Sequence, residues 1–437
     1  MQRKHMRIGV RVTPDRVTGV RLVRDEAREH HSEAVEHPGG LEAALGRVLA
    51  QLAGDIEDRP TATVTFEVSQ LFAPDQGEPV TVVRIAPRAP MDDAHAYSGV
   101  SVAQRALQTV HVTGGHSNAG EALATFEASG LRSRLRGQPP GGRYVVTSVG
   151  ASVNAAHEIE ASRILLDEAA PASVVQSHSF HNTSFSVRER TGVLNSSHLA
   201  YAEGIATSLA TVAAAHIPNA RLFVMTNDGG AAPLASLSLK PVHSLFSGLA
   251  AEFVGVAAVA GIDDGRIVMR RPDSVSFGEV TAGAPTVVSR SRDSAGELIA
   301  TRTVHLVTLD DGSVGDWMGE PLEITVTAAG LVELPGTDGC ERIELDAGAL
   351  GAACSQLVEW FEQAVQINNA PEKEQALGNA EAKVRARLVS YGSPPSQVRI
   401  LDCRVIGASY QNPNVVTVRV RGAAGPSPRE IFEETSG

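Results

Sequence analysis

The chain has 437 residues, of which 43 % are hydrophobic and 20 % charged, as expected of a soluble globular protein with two or three domains. Its net charge of −12 argues against nucleic acid or an anionic membrane as the main partner. The three cysteines are far apart, give no metal-ligand spacing and favour a reducing compartment. With no signal peptide and no apolar run long enough to span a bilayer, we expect a cytoplasmic protein.

The N-terminal part predicts a β-hairpin followed by a helix and two further strands. Residues 7–12 alternate apolar and polar side chains, turn residues follow, and residues 17–23 return as a second strand. Residues 41–54 carry apolar side chains on one face and end in glycine, which predicts an amphipathic helix. Residues 61–68 and 79–86 are predicted as strands.

From residue 143 to residue 260 strands and helices alternate, which is typical of a parallel sheet with covered faces. The predicted strands are 143–149, 173–179 and 221–226, and the predicted helices are 155–169, 195–216 and 247–260. Hairpin-like strands follow, then two helices at 347–365 and 372–390 and two strands at 398–407 and 414–422. The polar end of the chain predicts a mobile tail.

The stretch from residue 221 to residue 261 carries the clearest local signals. Asp228, Gly229 and Gly230 follow its strand, at the end where ligands sit in open α/β sheets. An Asx turn that only ends the strand is an equally good interpretation. Ser247 and Gly248 then begin an apolar helix, with Ser247 as its N-cap. One face of that helix carries three small residues that allow close backbone approach: Ala251, Gly255 and Ala258.

This stretch resembles the central motif of the hydantoinase A / 5-oxoprolinase family, which is acetone/acetophenone carboxylase-like. Further segments, from Arg7–Val10 to the C-terminal strands, are similar to the family in the right order. The resembling segments retain these residues: Asn154, His157, Glu158, Ser177, His178, Arg190, Leu194 and Asn195. The resemblance implies an α/β chain with an actin-like ATPase (ribonuclease H-like) two-lobe fold, mixed sheets covered by helices, and a small α+β C-terminal region.

The resemblance also implies domain boundaries. It assigns residues 1–190 to an N-terminal-like lobe and residues 191–345 to a central lobe. A C-terminal helix-plus-strand region covers 346–425, and 426–437 is the mobile tail.

The two phosphate loops of the family are degenerate in this chain. Arg11 stands where the family has the Asp that organises magnesium, and Thr13 and Pro14 replace the paired glycines of the first loop. Arg270 and Arg271 replace the two glycines of the second loop. Glycines let backbone N–H groups approach phosphate, proline has no N–H, and arginine cannot ligate magnesium. We therefore predict neither ATP nor magnesium as a cofactor.

Two groups of side chains remain as ligand candidates. In the implied fold, Arg11, Arg270 and Arg271 converge on the vacated phosphate position, either as salt bridges across the cleft or as a site for a carboxylate or phosphate ester. His178 and His181 could bind a metal or line the interlobe cleft as a polar pair. Because no third ligand is visible, we prefer cleft lining and predict no metal site.

Family members of this A type work with a B-type subunit and cleave lactam or imide amides, or carboxylate ketones, at the expense of ATP. We expect a divergent subunit of a multi-subunit amidohydrolase or ketone carboxylase complex, with a B-type hydantoinase subunit or another A-type chain as its partner. One alternative is an ATP-dependent cyclic amide hydrolase. The other is an ATP-independent enzyme or anion-binding protein that reuses the interlobe cleft for a small molecule.

Overall fold

The secondary structure comes from a computed structural model. It describes residues 5–23, 29–35, 40–54, 61–72, 77–88, 106–289, 291–292, 296–309, 322–327, 330–336, 339–407 and 414–434. Within these ranges the helices are α1 (Leu41–Ala53), α2 (Ala128–Leu135), α3 (Ala156–Glu168), α4 (Phe185–His216), α5 (Ser247–Val259), α6 (Ala347–Cys354), α7 (Ala370–Ser390) and α8 (Pro428–Glu434). The strands of the first half are β1 (His5–Val12), β2 (Arg16–Val23), β3 (Glu29–Ala34), β4 (Thr61–Glu67), β5 (Val80–Ala86), β6 (Ala106–Thr113), β7 (Arg143–Ser148), β8 (Ser173–Gln176), β9 (Arg221–Met225) and β10 (Ala231–Pro233).

The strands of the second half fall into two groups. Those before α6 are β11 (Gly265–Arg271), β12 (Ser274–Thr281), β13 (Ala284–Pro285), β14 (Val287–Val288), β15 (Ser291–Arg292), β16 (Leu298–Ile299), β17 (Thr303–Val304), β18 (Val307–Leu309), β19 (Leu322–Val326), β20 (Leu331–Gly336) and β21 (Gly339–Asp346). Those after α6 are β22 (Leu357–Gln366), β23 (Val398–Gly407) and β24 (Val415–Ala424).

The largest sheet in the described part of the chain has nine strands in the order β23-β24-β22-β10-β9-β4-β1-β2-β3. Its centre is parallel, because β4 pairs in parallel with both β1 and β9. The predicted N-terminal hairpin is confirmed, since β1 and β2 pair antiparallel. Helices α1 and α4 bury apolar side chains on one face, and α6 packs on the other. The sheet therefore joins segments from the start, the middle and the end of the chain.

Two other sheets flank this one. A four-stranded sheet in the order β6-β5-β7-β8 is parallel throughout, as the strand–helix alternation predicted for its last two strands. It is covered by α2 and α3 on one face and by α4 on the other. A mixed sheet is built around the β11–β12 hairpin and packs on α5. The whole is a mixed α/β fold.

Helices α5 and α6 approach each other backbone to backbone, as the small residues of α5 predicted. A Cβ atom added to Gly255 would lie 2.1 Å from the carbonyl oxygen of Ala347. One added to Gly9 of β1 would lie 1.9 Å from the carbonyl oxygen of Ala349, so α6 is held between the sheet and α5. All eight residues of α6 are buried.

The helix predicted at 347–365 is wrong in its second half. α6 ends at Cys354, and Leu357–Gln366 forms β22, which pairs with β24 along ten residues. The apolar run was ambiguous by pattern, and the partner strand that decides it lies far along the chain. The helix predicted to begin at residue 195 begins earlier, at Phe185, so the predicted lobe boundary at residue 190 falls inside α4.

The C-terminal segment also differs from the sequence prediction. The tail predicted to be mobile from residue 426 contains α8, in which Ile431 and Phe432 are only 3 % and 6 % exposed. Both side chains belong to the apolar cluster shared by β2, α5 and α6. Two apolar side chains in a polar tail are enough to dock it, because each removes a large apolar surface from water.

One described segment, Pro241–Val259, is apolar and long enough to span a bilayer by composition and length alone. Two thirds of it is buried inside the protein. Its α-helical part, α5, has 13 residues and is about 20 Å long, against roughly 30 Å of hydrocarbon in a bilayer. It is a core helix of this fold.

Candidate functional site

The β1–β2 hairpin places Arg11 on the face of the large sheet that carries α6. Side chains alternate along a strand, so Ile8, Val10 and Val12 enter the core beneath α1, and Gly9 and Arg11 face the opposite way. Arg11 pairs in register with Glu67 at the end of β4. The guanidinium of Arg11 is thus fixed at the carboxyl end of two parallel strands.

Three carboxylates surround the Arg11 guanidinium. Nη2 lies 2.9 Å from Oε1 of Glu252 on α5, and Nη1 lies 3.5 Å from Oδ2 of Asp346. Nε lies 3.9 Å from Oε2 of Glu67. Burial opposes the charged form, but the carboxylates of Asp346, Glu252 and Glu67 outweigh it and raise the pKa of Arg11. Arg11 is a fully charged, largely buried cation in a carboxylate cage.

Asp346 has a second role, because it is also the N-cap of α6. Its Oδ1 accepts a hydrogen bond of 2.8 Å from the backbone N–H of Ala349. Burial raises the pKa of Asp346, against the opposing effects of Arg11 and of this N–H. The position of α6 and the charge balance around Arg11 therefore depend on the same carboxylate.

Arg271 reaches the same carboxylate cage from the β11–β12 hairpin. Its Nη1 lies 3.2 Å from Oε2 of Glu252, whose other oxygen binds Arg11. Its Nη2 and Nε donate to the hydroxyls of Ser276 and Ser274. Glu252 therefore joins the two hairpins that the resemblance compares with the family's phosphate loops. We call Arg11, Glu67, Glu252, Arg271 and Asp346 the Arg11 network.

Arg270 does not join this network, which corrects the prediction that all three arginines converge. Met269 and Arg271 lie on the face of β11 that packs on α5, whereas Val268 packs with Val275 on the other face. Because neighbouring side chains on a strand point to opposite faces, Arg270 lies on the side of Val268.

Three members of the Arg11 network, Arg11, Glu252 and Arg271, line an open cleft with a volume of about 500 Å³. Its lining residues are Arg11, Ser69, Gln70, Phe246, Gly248, Leu249, Glu252, Arg271, Asp273 and Ser274. Of the predicted pair, Gly248 lines this cleft, whereas Ser247 is buried and is not the N-cap of α5, which is Phe246. Instead the Ser247 hydroxyl donates to Oε1 of Glu67 at 2.9 Å, and Gly248 N–H donates to the Ser69 hydroxyl at 3.1 Å.

The residues at this cleft do not fit Mg-ATP, the cofactor that the family resemblance implies. Thr13 N–H donates to the carbonyl of Arg16 within the hairpin turn, and Pro14 has no N–H, so neither position offers a donor to phosphate. Arg11 cannot ligate magnesium, Glu252 pairs with Arg11 and Arg271, and Oε1 of Glu67 accepts from Ser69 N–H and the Ser247 hydroxyl. No group of three His, Cys, Asp or Glu side chains in the described ranges is placed to hold a metal ion.

Asp228, Gly229 and Gly230 lie away from this cleft and form a structural turn. Oδ1 of Asp228 accepts from the Thr226 hydroxyl and from Gly230 N–H, as in the Asx-turn interpretation. Gly229 has a φ of +80°, and a Cβ on Gly230 would lie 2.5 Å from the Cβ of Val358. Oδ2 of Asp228 accepts a 2.6 Å hydrogen bond from Nε1 of Trp360 and so orients that indole.

The residues retained around His178 form a buried polar network centred on Glu158. The Glu158 carboxylate is fully buried and accepts from Ser148 N–H, from the Ser177 hydroxyl and from the backbone N–H of His178. Its Oε2 also lies 2.7 Å from Nδ1 of His178. Arg188, buried beside it, binds Ser177 and the carbonyl of Ser148. These hydrogen bonds give both oxygens of the Glu158 carboxylate a partner. They connect β7, α3, the turn that follows β8, and α4.

His181 comes shortly after this network in the chain. It is exposed, and its φ is +47°. Nearby, Nζ of Lys240 donates to the carbonyl of Ser179 at 3.0 Å. Burial, together with the positive charges of Arg302 and Arg387, lowers the pKa of Lys240 to about 8. His178 and His181 therefore border a positively charged region, not the Arg11 cleft.

Glu158→Gln should lower the free energy of unfolding by about 1–3 kcal/mol, because the amide –NH2 would face donors that the carboxylate now accepts from. Urea unfolding measures the loss. Glu160→Gln removes a carboxylate from an exposed position on the same helix and should change stability by less than about 0.5 kcal/mol. Equal losses for the two variants would contradict the assignment of Glu158 as the centre of the polar network.

Sequence reasoning missed the three carboxylates of the Arg11 network. Glu67 ends an alternating strand, Glu252 interrupts an otherwise apolar helix, and Asp346 precedes a small-residue helix. A glutamate inside an apolar helix is the one local signal that could have found the site, because a buried carboxylate requires a charged or hydrogen-bonded partner.

Comparison with known proteins supports the fold. No family model matches the sequence, and no curated protein matches it. The fold is similar to a nucleotide-free structure of acetone carboxylase, an ATP-dependent enzyme, with a TM-score of 0.65, 10 % identity, and coverage of 98 % of this chain and 89 % of that one. It is also similar to the ATP-dependent caprolactamase from Pseudomonas jessenii, with a TM-score of 0.63, 13 % identity, and coverage of 95 % and 87 %.

Proposed function

We propose that this chain is a divergent hydantoinase/oxoprolinase-like protein of the actin-like two-lobe type that acts as a subunit of a larger complex and does not bind Mg-ATP in the manner of that family. One observation carries the proposal: Glu252 binds Arg11 of the first hairpin and Arg271 of the second. The cross-link lies where the resemblance puts the two phosphate loops.

The energetics of the Arg11 network support a cleft without nucleotide. A triphosphate would have to separate Glu252 from both arginines and would then lie beside the carboxylates of Glu67, Glu252 and Asp346. Removing one partner from a buried ion pair costs about 3–5 kcal/mol, and each exposed carboxylate would also repel the phosphates. The network contains three carboxylates and two arginines, so carboxylates are in excess and do not favour an added anion, although Nε of Arg11 and Oε2 of Glu67 have no hydrogen-bond partner among the described residues.

The same network weighs against both alternatives at this cleft. An ATP-dependent cyclic amide hydrolase would need the phosphate donors and the metal ligand that these hairpins lack. An anion site at the former phosphate position would need unneutralised arginines, whereas three carboxylates surround Arg11, and one of them, Glu252, also pairs with Arg271. We therefore favour a role that depends on a partner, such as a B-type hydantoinase subunit or an intact A-type chain in the cytoplasm.

Apolar surface on α3 supports a partner. Ile159 and Leu166 are seven residues apart on this helix and therefore on the same face. They are 47 % and 62 % exposed, which is unusual for two large aliphatic side chains on one helix face.

Co-expression with the products of neighbouring genes tests the partner-dependent role. We expect the chain to co-purify with at least one of them and to run by light scattering as an assembly larger than the chain expressed alone. A chain that stays monomeric beside every neighbouring product would contradict this role.

A further inference from the structure

A second pocket lies on the C-terminal strands, away from the Arg11 cleft. Two rows of residues across β22, β24 and β23 form its floor, and all of them except Glu362 line the pocket. Trp360, Arg421 and Asp402 are register partners in one row, and Glu362, Arg419 and Arg404 are register partners in the next. Segment 281–289 and Arg302 close the pocket, which has a volume of about 250 Å³.

The arginines of this pocket differ in whether they pair with a carboxylate. Glu362 accepts two hydrogen bonds from Arg419 and one from Arg302, and Asp402 pairs with Arg404. Both carboxylates are therefore engaged by other arginines. The guanidinium of Arg421 binds only the carbonyl oxygen of Pro285, through Nη1, in the described part of the chain.

Arg421 is 6 % exposed, and its Nε and Nη2 have no hydrogen-bond partner among the described residues. These two nitrogens form the side-on edge of a guanidinium, from which two parallel N–H bonds can reach the two oxygens of one carboxylate. A buried donor without a partner is unfavourable, so this edge requires an acceptor.

The charge around Trp360 adds to this requirement. The guanidiniums of Arg302 and Arg421 lie 4.7 Å and 5.2 Å from the centroid of the Trp360 ring. Burial lowers the pKa of Arg421, Asp228 and Asp402 raise it, and Arg302 has a smaller effect that lowers it. Nε of Arg302 is also buried without a partner in the described ranges. An anion between these cations would relieve their repulsion.

We propose that this pocket binds a small carboxylate ligand through the side-on edge of Arg421, with Arg302 and the Trp360 ring completing the site. The volume admits a compact molecule, since one water occupies about 30 Å³ of liquid. The two parallel N–H groups of the guanidinium edge match the two oxygens of a planar carboxylate. The proposal concerns a different surface from the Arg11 cleft and does not depend on the proposed function.

Trp360 serves as the reporter for the test. The chain has two tryptophans, so Trp317→Phe leaves Trp360 as the sole one. This protein is titrated at constant ionic strength with acetate, succinate, benzoate and inorganic phosphate while its fluorescence is recorded, and calorimetry detects binding that leaves the fluorescence unchanged. We expect saturable binding of at least one carboxylate.

In the same background, Arg421→Gln should weaken that binding at least about tenfold, because two charge-assisted hydrogen bonds are lost. Arg399→Gln removes an exposed charge from the same strand group outside the pocket and should leave the affinity within about twofold. If Arg421→Gln does not fold, Arg302→Gln takes its place. Absence of carboxylate binding, binding of phosphate alone, or equal affinity in the pocket variant and the control would overturn the proposal.

Discussion

Arg11→Ala is expected to lower the free energy of unfolding by about 3–5 kcal/mol, because it leaves three buried carboxylates without their shared cation. The Arg11 side chain is 13 % exposed, and Glu67, Glu252 and Asp346 are at most 9 % exposed. Solvent therefore cannot replace the guanidinium fully. The loss should be seen by urea unfolding followed by circular dichroism, in the transition that unfolds the nine-stranded sheet.

Arg16→Ala is the matched control, because it removes an arginine from an exposed position on the same hairpin. It should change stability by less than about 0.5 kcal/mol. Arg11→Ala and Arg271→Ala should also be non-additive, since both remove a partner of Glu252. A loss below about 1 kcal/mol for Arg11→Ala, or strictly additive losses for the pair, would show that the arginines do not share this carboxylate.

Gly351→Ala is expected to cost about 3 kcal/mol or more, because α5 and α6 touch through their backbones at this point. A Cβ on Gly351 would lie 1.8 Å from the carbonyl oxygen of Ala251 and 2.9 Å from the backbone nitrogen of Gly255. Neither atom belongs to a flexible side chain, so the helices must separate. Asp346 caps α6, and the substitution should therefore also disturb the Arg11 network.

Gly378→Ala controls for the helix propensity of the same change. Gly378 lies within α7 and an added Cβ would meet no atom within 4 Å, so alanine should stabilise the protein by up to about 1 kcal/mol. Thermal and urea unfolding of the two variants should thus move in opposite directions. A stable Gly351→Ala protein would contradict the close packing of α5 on α6.

Local sequence pattern predicted most of the helices and strands, but it did not predict which residues form the candidate sites. The alternation of β1 and the apolar face of α1 are local properties, and both elements were predicted within a few residues. β22 was mistaken for helix because its identity depends on pairing with β24. The row that contains Trp360 and Arg421 also depends on how β22 and β24 pair, so local sequence pattern could not predict it.

The arginines at the positions that the resemblance assigns to phosphate loops show the same limit. The sequence analysis predicted that Arg270 and Arg271 both reach the former phosphate position. Because neighbouring side chains on a strand point to opposite faces, only Arg271 reaches the cleft. The carboxylates that neutralise it and Arg11 come from β4, α5 and the start of α6, which no short-range pattern connects. The resemblance could therefore predict arginines in place of the family's loop residues, whereas only the fold identifies the carboxylates that pair with Arg11 and Arg271.

Calorimetric titration of the folded full-length protein with Mg-ATP tests the central claim most directly. The Arg11 network predicts no saturable heat at nucleotide concentrations up to about 1 mM, which corresponds to less than about 4 kcal/mol of binding free energy. One-to-one binding with a dissociation constant on the order of 1 μM, weakened by a substitution at Gly248 in the cleft, would contradict it.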